Sequence, residues 1–110
     1  MSRGALLALG LLVGPLAAWG ARQLAVSRFI TSCGAVDPSV GATEVVLEEA
    51  DVKRAIVAGA AEVVLAVDSS KLGQRATAVC LDWDAIDVLV TELDPTDSRL
   101  APYRKLATIL

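Results

Sequence analysis

The chain has 110 residues, of which 55% are hydrophobic, 21% charged and only 4% aromatic, with a formal net charge of −3. Its mean hydropathy is +0.58 and its isoelectric point about 4.8. That length fits one domain or a piece of one, and the composition is too apolar for a disordered tail. The ten basic residues, at 3, 22, 28, 53, 54, 71, 75, 99, 104 and 105, are scattered apart from two adjacent pairs. A concentrated basic face, which phosphate-tracking nucleic-acid binding needs, is not written into the chain. There is no histidine, which excludes a His-containing triad, a His metal site and a His proton shuttle. Cys33 and Cys80 lack the spacing of a zinc or CxxC motif. They read as two buried free thiols of a reducing compartment, or as one disulfide if the fold brings them together.

Residues 4–21 carry no charge and follow Arg3, and Ala18 and Gly20 sit two apart before Ala21, as at a signal cleavage site. Gly10, Gly14 and Pro15 interrupt the apolar run and make it a poor membrane span. A second reading makes Pro15 the first residue of a helix, where its fixed φ suits the position and its missing N–H is not needed. Leu16, Trp19, Gln23 and Leu24 then fall roughly on one face.

Beyond this, strand-like and helix-like segments alternate. Arg28–Ser32 is a short strand candidate ending in Cys33-Gly34, and residues 34–43 read as a loop rich in Gly, Asp and Pro. Thr43 is placed to cap a helix running through Ala60. Glu44, Glu48, Glu49 and Asp51 precede Lys53 and Arg54, an order that suits the helix dipole. Val46, Ala50 and Val57 lie toward one face of it, with Lys53 between them. Glu62–Val67 is a continuous apolar run with β-branched residues, the mark of a strand covered on both faces. Asp68-Ser69-Ser70-Lys71 follows at its carboxyl end. Ala78–Leu81 is a further strand, Asp82-Trp83-Asp84 a turn, Asp87–Thr91 another strand and Glu92–Ser98 a loop with Pro95. Arg99–Ile109 reads as a closing helix, with Leu100, Tyr103, Leu106 and Ala107 at helical spacing.

Strands separated by helices imply βαβ units and a mostly parallel, Rossmann-like sheet flanked by helices, an α/β fold. Ligands in such sheets bind outside the carboxyl ends of the strands. Cys33, Gly34 and Asp37 follow one strand, Asp68 to Lys71 another, and Thr91 and Glu92 end a third. Three polar strand ends are therefore expected to face one crevice.

The order of short words along the chain resembles the C-terminal sensor domain of DeoR-type bacterial transcriptional regulators. The words are Gly14-Pro15-Leu16-Ala17, Phe29 to Asp37, Gly41-Ala42-Thr43, Glu48-Glu49-Ala50 and Lys53-Arg54-Ala55. The clearest are Leu65-Ala66-Val67-Asp68-Ser69-Ser70-Lys71-Leu72-Gly73 and Ile86 to Glu92. The resemblance spans residues 13–110 and leaves the apolar segment 1–12 unmatched. It implies a fold shared with ribose-5-phosphate isomerase and the CoA transferases, and a sensor of a phosphorylated sugar or related metabolite. It also implies a cytoplasmic protein that self-associates and reaches DNA only through a helix-turn-helix domain absent from this chain, without catalysis and without a cofactor. The family's helix-turn-helix and its early phosphate-cradling loop have no counterpart here, so the chain reads as a sensor-domain fragment.

On the isomerase comparison, Asp37, Glu49 and Lys71 would line the pocket. The full candidate effector-binding set is Gly34, Asp37, Glu49, Lys53, Asp68, Ser70 and Lys71. Lys71 would reach a phosphate or sugar oxygen as a point charge or stand as a solvated loop lysine, and Asp68 reads equally as orienting it or accepting a hydroxyl and as capping a turn. Asp37 reads equally as a sugar ligand or as an Asx-turn before Pro38. Glu49 and Lys53, four apart on one helix, read either as site residues or as a surface ion pair. Two other functions remain in view. In a sugar-phosphate isomerase, Glu49 would shuttle a proton and Lys71 would steady the developing oxyanion. In an exported small α/β domain, residues 1–20 would be the signal.

Overall fold

The computed structural model describes residues 15–110. Helix α1 (Pro15–Ala21) begins at the proline, as its locked φ favours. Its buried side is Ala17, Ala18 and Ala21, whereas Leu16 and Trp19 are exposed. Of the face expected from Leu16, Trp19, Gln23 and Leu24, the first two are thus turned outward, whereas Leu24, beyond the helix, packs against the buried cluster. Three small side chains let the helix lie close against its neighbours instead, packed with Val26, Phe29, Val52, Ala55 and Ile56.

Four strands form a parallel sheet in the order β1 (Val26–Thr31), β4 (Ala60–Ala66), β6 (Val88–Val90), β7 (Thr108–Ile109). The register sets Phe29 beside Val63, Thr31 beside Leu65, and Ala66 beside Val90. The carboxyl ends of β1, β4 and β6 therefore lie side by side. This is the α/β, Rossmann-like arrangement expected from the alternation of elements.

A second, antiparallel sheet is built from β2 (Ala35–Asp37), β3 (Gly41–Glu44) and β5 (Ala78–Leu81). The segment 34–43, read from sequence as a loop, is thus mostly a hairpin. Its turn residues are real, but they occupy only positions 38–40. Gly41 permits this geometry: its φ is +97° and a Cβ there would meet Leu81 O at 2.3 Å. No other residue could hold β3 so near β5 without strain.

Helix α2 (Leu47–Val57) starts three residues later than a Thr43 cap would put it, with Val46 at the cap position and no side-chain cap. Thr43 lies buried in β3, where its hydroxyl donates to Ala35 O at 3.3 Å. The helix buries Ala50, Val52, Ala55 and Ile56, whereas Val46, expected on the inner face, is exposed.

The main core joins Val63, Leu65 and Leu89 of the parallel sheet with Val36, Ala42, Cys80, Leu81, Ala50, Leu100 and Tyr103. The two helices and the second sheet all pack on this face. The other face carries the Arg28–Glu62 ion pair at 2.5 Å beside Ile30, Val64, Ala66 and Val90, none of which is buried. Coverage on both faces, expected from the run 62–67, is not found among the described residues.

The closing helix is also replaced. A 3₁₀ segment covers Ser98–Tyr103, with Asp97 accepting from Arg99 N and Pro102 inside it. Pro102 has no N–H and cannot carry an α-helical bond. The chain then turns and adds β7 beside β6, with Thr108 N donating to Asp87 O at 3.0 Å. Leu100 and Tyr103 are buried as their spacing suggested.

Candidate effector site at the carboxyl ends of the parallel strands

After β4, Asp68 caps a short 3₁₀ turn, Ser69–Lys71, by accepting from Ser70 N. The same Oδ1 also takes the Ser70 hydroxyl. These two bonds, the hydroxyl first, hold the Asp68 carboxyl below the usual carboxylate range. Ser69 faces the neighbouring strand end. Its amide donates to Glu92 Oε1 at 2.8 Å and its hydroxyl to Glu92 Oε2 at 2.6 Å. Thr91 Oγ1 donates to the same carboxylate at 2.8 Å. The Ser69 and Thr91 hydroxyls pull the Glu92 carboxyl down to about 2. Two of the three expected polar strand ends are thus brought together, those of β4 and β6.

Lys71 is half-buried and takes part in no ion pair among the described residues. The amides of Ser69 and Ser70 are already engaged by Glu92 and Asp68. Lys71 therefore brings an ammonium without an ion-pair partner among the described residues to the turn that Asp68 caps, next to the strand end that carries Glu92.

The third strand end is differently built. At the end of β1, Gly34 N donates to Thr43 O at 3.0 Å and to Glu44 Oε1 at 3.1 Å. Lys53 reaches across from α2 to Glu44 Oε2 and donates to Ser32 O at 2.8 Å. Lys53 therefore pairs with Glu44, and not with Glu49 four residues before it. Glu49 stands exposed in the first turn of α2. Glu44 is the participant that sequence reasoning missed as a partner. It is only 4% exposed, but its partner lies nine residues away in another element, beyond any helical spacing.

Asp37 is buried at the end of β2. Its Oδ1 accepts from Val40 N at 2.6 Å, and Oδ2 pairs with Arg75. Burial pushes its carboxyl up, but the Val40 amide and the Arg75 guanidinium outweigh that and hold it below the usual range. The Asx-turn is formed, and Arg75, not singled out from the sequence, completes it. Trp83 donates from Nε1 to Asp37 O at 3.0 Å, and its ring meets Tyr103 at 5.7 Å between centroids. That contact makes Trp83 a packing residue.

Cys33 and Cys80 are both free and buried. Burial raises Cys33 to about 12 and Cys80 to about 11. Burial thus favours the protonated thiol at both positions. Among the described residues, no group of His, Cys, Asp or Glu is arranged to hold a metal ion. None of the described helices is long and apolar enough to cross a membrane.

A comparison with known protein families matches residues 8–93 to the DeoR C terminal sensor domain. The chain belongs to that family. The match takes in α1 to β6, and with them both strand ends that meet at Ser69 and Glu92. The Rossmann-like architecture and the order of words along the sequence agree with this assignment. The sensor domain's match begins inside segment 1–12 and stops before the closing 3₁₀ turn and β7. Membership makes this chain part of an effector-sensing regulator.

Proposed function

We propose that this sensor domain binds a phosphorylated sugar or a related anionic metabolite at the carboxyl ends of β4 and β6. Binding is non-catalytic. Lys71 takes the phosphate or an anionic oxygen as a point charge, while Asp68 and Glu92, both ionised, accept sugar hydroxyls. Ser70 offers its hydroxyl beside Asp68. Gly34, Asp37 and Lys53 shape the neighbouring β1 and β2 ends, and Glu49 stands outside that cluster. The reading rests on one observation above the rest: an ammonium with no ion-pair partner among the described residues, at the strand end where ligands of parallel sheets gather.

The response is carried by self-association of sensor domains and passed to DNA by a helix-turn-helix domain elsewhere in the regulator, in the cytoplasm. An effector that prefers one conformer or assembly shifts the population toward it. A thermal-shift series with inorganic phosphate, free sugars and sugar phosphates tests the reading. A ligand present at about 100 times its Kd stabilises by about 2.7 kcal/mol, which for a domain of this size raises the midpoint by roughly 10 °C. We expect one sugar phosphate to give such a rise and Lys71→Ala to abolish it while leaving the unliganded midpoint in place. A rise that survives Lys71→Ala would place the ligand elsewhere.

A further inference from the structure

The segment that follows Lys71 is fastened to the β2–β3 hairpin at nearly every second residue. Leu72 forms a parallel bridge with Val36. Gly73, in the left-handed region at φ +73°, donates its amide to Val36 O at 2.8 Å and to Tyr103 Oη at 2.9 Å. Arg75 pairs with Asp37. Ala76 N donates to Thr43 Oγ1 at 2.8 Å. Lys71 therefore sits between two anchorages, Ser69 on Glu92 and Gly73 on Val36. Three of the groups that hold the second anchorage, Asp37, Thr43 and Tyr103, are buried polar side chains, while Arg75 is 60% exposed.

We infer that residues 72–76 are a strap that sets the reach of Lys71, with Asp37 and Tyr103 as its positioning residues and the Asp37–Arg75 pair as its releasable lock. The inference deepens the proposed effector site and rests on that reading. Asp37 acts through the strap and not by touching the effector. Its burial requires the charged partner, because a carboxylate without one would be left desolvated. Arg75 is the solvent-facing half of the lock, and releasing it leaves the Asp37 carboxylate with the Val40 amide in place of a charged partner. Opening the lock frees the stretch between Gly73 and Ala76 and with it the far end of the turn that carries Lys71.

The test uses Arg75→Gln, Arg75→Lys, Asp37→Asn and Tyr103→Phe, read by amide hydrogen exchange and by binding of inorganic phosphate as the probe. Arg75→Gln and Asp37→Asn are expected to speed exchange at Lys71, Gly73 and Ala76 and to weaken phosphate roughly tenfold each. Arg75→Lys should restore most of both, and Tyr103→Phe should loosen Gly73 more than Ala76. Weaker phosphate binding in Arg75→Gln with tighter binding in Asp37→Asn would make Arg75 a direct ligand and overturn the strap. So would unchanged exchange at Gly73 and Ala76 in Arg75→Gln. If the native chain takes up neither phosphate nor sugar phosphates, the effector reading fails, and the exchange at Lys71 still decides whether the strap holds that residue.

Discussion

Replacing Lys53 with methionine should destabilise the domain by about 3 kcal/mol, more than its position on a helix surface suggests. The ammonium is 20% exposed and its partner carboxylate, on Glu44, 5% exposed. Methionine retains most of the side-chain packing but leaves a buried carboxylate whose remaining bond is the Gly34 amide. Breaking one side of a buried pair costs more than the pair contributes, because the stranded charge stays out of water. The double variant Glu44→Leu with Lys53→Met should recover to within about 1 kcal/mol of the native chain. Urea midpoints of the four chains of this cycle check both statements. A Glu49→Gln change, in contrast, should leave the midpoint unaltered, since Glu49 is exposed and does not partner Lys53. The cycle thus separates the observed pairing from the one helical spacing suggests.

Leu65→Ala should cost about 3–4 kcal/mol and lower the melting midpoint by roughly 15 °C. Leu65 is fully buried at the centre of the parallel sheet, between Thr31 of β1 and Leu89 of β6. It faces the layer that holds Val36, Leu81 and Leu100. The layer joins two sheets and a 3₁₀ turn, so it cannot collapse around the cavity without moving all three. Val64→Ala, one residue away but on the open face, should cost less than about 1 kcal/mol. Thermal unfolding of the two variants side by side measures the asymmetry between the sheet's faces. Equal losses would mean that the open face is packed as well.

Three strands of the parallel sheet were legible: β4 and β6 are mostly Val, Leu and Ala, and β1 carries Phe29, Ile30 and Thr31. The strand Ala78–Leu81 has the same bounds in both readings. Its partner was not legible. Antiparallel pairing with β3 joins residues more than thirty apart, and β2 and β3 are short and set among Pro38, Ser39 and Gly41. Turn residues dominate the local pattern there, although the strands on either side decide the structure. The closing segment failed for the opposite reason. Leu100, Tyr103, Leu106 and Ala107 repeat at helical spacing, but Pro102 breaks the ladder and β6 offers an edge to pair with.

The same division runs through the candidate site. Asp68, Ser70 and Lys71 are contiguous, so their shared turn could be read directly. Glu92 was visible as a strand end, and the register of β4 and β6 explains why it meets Ser69. Arg75 could not be assigned to Asp37, because 38 residues separate them and only the folded hairpin brings them together.

The most direct test of the proposed site is a titration of the isotope-labelled chain with sugar phosphates, followed amide by amide in ¹⁵N–¹H spectra. Binding where Lys71 stands would shift Ser69, Ser70, Lys71 and Glu92 first, with smaller changes carried to Gly73 and Ala76 by the strap. Shifts confined to Gly34, Glu44 and Lys53 at the end of β1, or no shifts across the whole series, would contradict an effector site at the ends of β4 and β6.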